Sequence, residues 1–245
     1  MLDARALVHD AGFFDPLKRA LAEMLREHSP DAAPRILDAG CGTGHYTETA
    51  LDAFGAARPA VGGTAAVVSE TGEAPRVLAM DLSPAAVLRT VRRRPASVDG
   101  LVADTWQPLP IRDASIDVVL DVFAPRNATE FRRVLRPGGL LLVVVPRPEH
   151  LQELRAEGRV LQIPEGKADS LVDELAPAFR LRSAQHVGAQ FPLEQDAAAD
   201  DALAAAIIAM GPSAHHRTQE PAAGALALPE AISLSVDVLA LEATA

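Results

Sequence analysis

The chain has 245 residues, 49% hydrophobic, 4% aromatic and 23% charged, a composition that fits a globular protein with an aliphatic core and excludes disordered and fibrous classes. Its net charge of −10 argues against a general affinity for polyanions, which Lys and Arg would have to supply. The single cysteine, Cys41, excludes a disulfide framework and a multi-cysteine zinc site, and no apolar run approaches the roughly 20 residues of a membrane-spanning helix.

Residues 3–28 read as helix in two pieces, broken at Gly12, with Asp15 as N-cap, Pro16 at the first helical position and Ser29-Pro30 as the stop. Leu17, Ala20, Leu21, Met24 and Leu25 recur at helical spacing. Arg35–Asp38 is a short strand that enters a glycine turn, Ala39–Gly44, followed by a helix over Tyr46–Phe54. Residues 55–75, rich in Gly, Ala, Pro and Ser, read as a loop insertion. Val77–Asp81 is a second strand, and Ser83-Pro84 caps a helix running to Arg93. Further strands follow at Gly100–Ala103 and Ile116–Val122, then a short helix at Glu130–Leu135, a turn at Arg136–Gly139 and a strand at Leu140–Val145. That last strand is apolar without alternation, as a strand buried on both faces must be. A helix over 168–176, a strand over 179–191, a helix over 196–209 and a strand at Ile232–Leu241 complete the chain, with a weak boundary near 150–165. Strands alternating with helices give an α/β fold with a parallel sheet.

The informative stretch is Leu37-Asp38-Ala39-Gly40-Cys41-Gly42-Thr43-Gly44, three glycines between a strand and a helix. Glycine lets the backbone turn sharply and approach a ligand closely. The next strand ends in Asp81, placed to accept the hydroxyls of a ribose; the third is followed by Asp104, placed to read an adenine; the fourth ends at Asp121. All lie at the carboxyl ends of parallel strands, where open α/β sheets bind ligands.

The segments LDAGCGTG, AMDLS, ADTWQPLP, IDVVLDVFAP and LRPGGLLLVVVP resemble those of class I S-adenosylmethionine-dependent methyltransferases. That resemblance implies a Rossmann-like, mostly parallel seven-stranded sheet with a C-terminal antiparallel hairpin, formed here by 179–191 and 232–241, behind an N-terminal helical segment. It also implies S-adenosylmethionine as cofactor. ARALVHDAGFFDPL, GCGTGHYT, DVFAPRN, PRPEHLQEL and MGPSAHH extend the resemblance over almost the whole chain to the guanine-N1 methyltransferases of large-subunit ribosomal RNA. Some members of that family confer resistance to tylosin-type macrolides. Its four-cysteine zinc module has no counterpart in this sequence, which begins where the catalytic part is expected to begin. The domains expected are a helical segment over 1–30 and a methyltransferase domain over 31–245.

Under this resemblance Gly40, Gly42 and Gly44 bring backbone amides to the cofactor, and Asp38 positions its methionine end or else caps the turn. Asp81, with Leu82 beside it, takes the ribose or caps the next helix. Asp104 and Thr105 lie at the adenine, while Trp106 lines that pocket or packs in the core. His45 and Tyr46 open a helix near the sulfonium, although His45 is equally a plain helix start. Cys41 is small and buried, without a nucleophilic role. Asp121, Phe123 and Arg126 are the catalytic candidates. Asp121 takes the proton of guanine N1, Arg126 stabilises charge on the base's carbonyl oxygen and Phe123 stacks on the base. The alternative has Asp121 on the cofactor and Arg126 paired with Glu130. Pro125, Asn127, His215 and His216 line the acceptor pocket; two adjacent histidines do not make a metal site, and no metal is expected. Arginines cluster at positions 89, 92, 93 and 94 and at 126, 132, 133 and 136, so a local basic patch remains open. The acceptor is ribosomal RNA or a small molecule. A third reading keeps the cofactor fold without catalysis. The protein is expected to be cytoplasmic and not membrane-bound; a homodimer is compatible with the sequence.

Overall fold

The computed structural model describes residues 1–29, 31–55, 74–194, 198–211 and 229–244. The insertion, apart from its ends, and His215 and His216 lie outside the described residues.

Two helices, α1 (Leu2–Asp10) and α2 (Asp15–His28), precede β1 (Arg35–Ala39). Gly12, at φ +80°, makes the break between them. Asp15 is the first helical residue of α2, not its cap; it forms an ion pair with Lys18 at 2.9 Å, one turn on. Helix α3 (His45–Gly55) follows, then β2 (Arg76–Asp81), α4 (Pro84–Arg93), β3 (Val98–Val102) and β4 (Ile116–Val122). Ser83 caps α4 as expected, its Oγ accepting from the Ala86 amide at 3.3 Å. Helix α5 (Ala128–Val134) leads into β5 (Leu135–Pro146), and α6 (Gln152–Ala156) and α7 (Lys167–Leu175) come next. The chain closes with β6 (Phe179–Pro192), α8 (Ala198–Met210) and β7 (Ala231–Ala243).

The expected turn at Arg136–Gly139 is the irregular start of β5. Leu135 pairs with Ile116 before the register shifts, and Gly138 takes φ +74° inside the strand. Short α6 has no periodic apolar signal long enough to read from sequence.

The seven strands run in the order β3-β2-β1-β4-β5-β7-β6. The first five are parallel, and β7 is antiparallel to both β5 and β6. This is the Rossmann-like sheet with a C-terminal antiparallel hairpin that the sequence implied. Alternate residues serve opposite faces. Ile36, Val118, Leu120, Leu142 and Val144 pack with α2, α3 and α8. Leu37, Val119, Leu141 and Val143 pack with α5 and α7. All seven residues of β4 are buried, because it lies in the middle of a sheet covered on both sides. The chain crosses from β3 at one edge back to β4 beside β1, which puts the topological switch point between the carboxyl ends of β1 and β4.

Candidate cofactor and acceptor site at the carboxyl edge of the sheet

The glycine turn leaves β1 and hooks onto its neighbour: the Gly40 and Cys41 amides donate to the Met80 carbonyl at 2.8 and 2.9 Å. At Gly40, φ is +90° and a Cβ would stand 2.5 Å from Ala124 Cβ, so only glycine lets the turn lie against the loop after β4. The Gly42 amide donates to Asp81 Oδ2 at 3.0 Å, and the Ser83 amide donates to Oδ1 at 2.9 Å. Asp81 thus ties the turn to the start of α4. A carboxylate has about four acceptor positions, which leaves about two for a ribose diol.

Asp38 is buried and accepts a short hydrogen bond from Thr47 Oγ1. Burial, opposed by the Thr47 bond, raises its carboxyl to about 6, and the neighbouring charge of Asp81 adds to the rise. Asp121 at the end of β4 is also wholly buried and raised to about 6 by burial, against the pull of Arg126. Its Oδ2 forms a short ion pair with Arg126 Nε, while its Oδ1 has no hydrogen-bond partner among the described residues. Arg126 therefore pairs with Asp121 and not with Glu130, which bonds Arg133 instead at 2.6 Å. Arg126 also covers Asp121: the arginine side chain is 20% exposed and the carboxylate 0%.

His45 is buried at the start of α3. Its ring stacks on His9 with centroids 4.2 Å apart and an interplanar angle of 6°. Its Nδ1 lies 2.8 Å from Thr43 Oγ1, and its Nε2 lies 2.9 Å from Arg93 and 3.2 Å from Asp10. Burial and then Arg93 lower its pKa, so it is a neutral packing residue at pH 7. Tyr46 differs: its hydroxyl is buried without a partner among the described residues, and burial followed by Asp38 raises its pKa. Cys41 is buried and raised to about 12, mainly by desolvation, so it is a thiol with no nucleophilic character.

On the far side, Asp104 Oδ1 accepts from the Trp106 amide at 3.0 Å and Thr105 is buried. Trp106 is 64% exposed and Leu82 70% exposed, so Trp106 does not pack in the core. These two apolar surfaces next to Asp104 and Asp81 suit the faces of a planar base. Asn127 caps α5 through Oδ1, and its Nδ2 donates to the Thr105 carbonyl at 2.9 Å, so both polar atoms of its amide tie loops together. Pro125 is exposed. Phe123 has φ +54°, a strained value for an aromatic residue, and is 40% exposed between Phe14 and His150. His150, absent from the expected set, lies parallel to Phe123 with centroids 6.0 Å apart. Its Nδ1 accepts from the Ser235 amide at 3.3 Å and burial lowers it to about 4, so the ring is neutral. Its position just past the carboxyl end of β5 was the available signal. Thr47, which holds Asp38, was also missed; it sits within a helix whose local pattern gives no reason to select it.

S-adenosylmethionine fits this edge. Asp38 and Asp121 are acids held out of water without a full complement of partners, and a sulfonium or ammonium group compensates that charge. Tyr46 and Asp121 Oδ1 are buried polar atoms that lack partners, and Leu82 and Trp106 present uncovered apolar area.

Comparison with known proteins agrees. Residues 59–143 match the methyltransferase domain family, a stretch spanning β2 to β5 without the glycine turn. The 23S rRNA (guanine(748)-N(1))-methyltransferase of Streptomyces fradiae is 36% identical over 93% of this chain and 72% of its own length. A protein of Micromonospora griseorubida named for 23S rRNA guanine-N1 methylation is 38% identical over 73% of this chain and 60% of its own length. The chain thus spans between three-fifths and three-quarters of these relatives. The structure of a Bacillus halodurans protein described as a methyltransferase superposes with a TM-score of 0.58 at 16% identity, covering 92% of this chain and 99% of that one. With the fold, the glycine turn and a relative aligned over 93% of its residues, the chain belongs to the 23S rRNA guanine-N1-methyltransferase family and is an S-adenosylmethionine-dependent methyltransferase.

Proposed function

We propose that this protein methylates ring nitrogen N1 of a guanine in large-subunit ribosomal RNA. The observation that carries the reading is the similarity to the S. fradiae enzyme over 93% of the chain. Bound S-adenosylmethionine supplies an electrophilic methyl group on a sulfonium. Gly40, Gly42 and Gly44 offer it backbone amides, Asp81 its ribose acceptors, Asp104 and Thr105 the adenine end, and Asp38 a counter-charge.

Phe123, held in a strained backbone conformation at the rim, is the surface on which the base stacks. Guanine N1 bears a proton that must leave as the nitrogen takes the methyl group. Asp121 receives it, after Arg126 moves from the carboxylate to the carbonyl oxygen of the base. That exchange uncovers the acid and puts positive charge where the base becomes negative. Most of the rate comes from holding nitrogen and methyl in line.

One observation favours a small-molecule acceptor as the second reading. The arginines of 126–136 are already engaged: Arg126 by Asp121, Arg133 by Glu130 and Asp113, Arg136 by Asp117, and Arg132 by the Thr244 carbonyl. In the other cluster Arg89 pairs with Asp3, Arg93 with Glu48 and Arg94 with Asp52.

The test is tritium transfer from labelled cofactor to large-subunit RNA from a strain lacking the modification. Label in RNA, with a reverse-transcription stop at one guanine, supports the proposal. Label confined to the small-molecule fraction moves the acceptor to a metabolite, and label in neither overturns both readings.

A further inference from the structure

The carboxyl edge is rich in acids, but the methionine end of the cofactor carries a carboxylate that Asp38, Asp81 and Asp121 would repel. A cation near the glycine turn would offset that repulsion, and the acids and glycines read from the strand ends do not supply one. We infer that Arg5, from the N-terminal helix, binds that carboxylate, with the Tyr46 hydroxyl as a second donor. The inference rests on the glycine turn being the cofactor cradle.

Four observations support it. The Arg5 guanidinium lies over the turn: a Cβ on Gly42 would stand 3.6 Å from its Nη1, within van der Waals reach. Among the described residues the Arg5 guanidinium makes no hydrogen bond or ion pair, whereas Arg93 and Arg126 are engaged by Glu48 and Asp121. Arg5 stands one turn before His9, whose ring packs against His45 and Tyr46, so the two share the inner face of α1. The Tyr46 hydroxyl is buried without a partner among the described residues, and its ring packs edge-on against His9 of the same helix as Arg5.

Helix α1 packs against the helices beside the glycine turn. Asp3 pairs with Arg89 of α4 at 2.8 Å, and His9 stacks on His45 of α3. His9 is neutral, its pKa lowered to about 2 chiefly by burial, so it adds no competing charge. A planar guanidinium can offer two parallel N–H donors to a carboxylate, the geometry an amino-acid end presents.

The experiment is calorimetric binding to wild type, Arg5→Gln and Tyr46→Phe, with S-adenosylmethionine and its decarboxylated analogue, which keeps the adenosyl group and the sulfonium. Wild type is expected to prefer the full cofactor by roughly 10- to 100-fold, the range of a charge-assisted hydrogen bond pair. Arg5→Gln should erase the preference while holding the analogue within about 3-fold, and Tyr46→Phe should reduce it by less. The inference is overturned if Arg5→Gln keeps the preference, or if it weakens both ligands equally with an unchanged thermal melt. Wild-type protein that binds both ligands without preference sinks the Arg5 assignment alone; wild type that binds neither sinks the cradle itself.

Discussion

Asp38 is held out of water, in a state that disfavours its ionised form. Its carboxyl is raised from 3.8 to about 6, chiefly by burial. Between those values the folded protein keeps a proton that the unfolded chain releases, so this group's contribution to stability falls as pH climbs through that window. Two pH units correspond to roughly 3 kcal/mol. Asp38→Asn keeps an acceptor for Thr47 and removes the buried charge. It should therefore stabilise the ligand-free protein by about 1–3 kcal/mol at pH 7.5 and by little below pH 4, as read by urea denaturation at the two pH values. The same change should cost cofactor affinity about 10-fold or more. A destabilised Asn variant at pH 7.5 would show that the carboxylate is compensated by something other than the cofactor. Asp121 is raised to about 6 as well, and a bound cation favours the ionised form of both acids. Cofactor affinity should thus rise from pH 5 to pH 7 and then level off, with proton release near pH 6 seen as a buffer-dependent binding enthalpy. An affinity flat across that range would place neither acid near the sulfonium. Asp121→Asn should lower kcat by about 10²–10³ and remove the acidic limb of the pH profile, if the acid takes the N1 proton.

At the scale of elements, the glycine turn and the loop after β4 form one joint. Gly40 and Ala124 are in contact, and Ala124 follows the strained Phe123. Gly40→Ala must push that loop away and also strain its own φ of +90°. The expected cost is about 1–3 kcal/mol of stability, together with weakened acceptor binding as Phe123 shifts. A crystal structure of the variant with Phe123 unmoved and an unchanged melting temperature would contradict the joint. Helix α1 makes a second joint, with α3 and α4. The first helical segment is therefore tied to the two helices that flank the glycine turn, a placement its weak periodicity did not announce.

For the whole molecule, the balance of charge decides what can bind. The arginine clusters visible in sequence are largely paired with acids from distant segments, Arg136 with Asp117 and Arg89 with Asp3 among them. Binding of an RNA hairpin by this chain should consequently release few counterions. The slope of log affinity against log salt between 50 and 200 mM should be shallower than about −2, corresponding to about three phosphates or fewer. A slope of −4 or steeper would mean that arginines leave their carboxylates for phosphates.

The sequence alone determined what short-range chemistry controls. Strands alternating with helices gave the α/β class, and acids spaced to end successive parallel strands share an edge, so the ligand-binding edge was legible from the glycine turn and Asp81; the seven-stranded topology and S-adenosylmethionine came from the resemblance carried by LDAGCGTG and the segments after it. What tertiary structure decided was which groups those residues face. Arg126 pairs with Asp121, five residues back, rather than Glu130 one helical turn on. His45 leans on a histidine from another helix, and Arg5 reaches a turn 37 positions away. These pairings depend on helices folding back over the sheet, and local sequence spacing carries no record of which side chain arrives from across the chain.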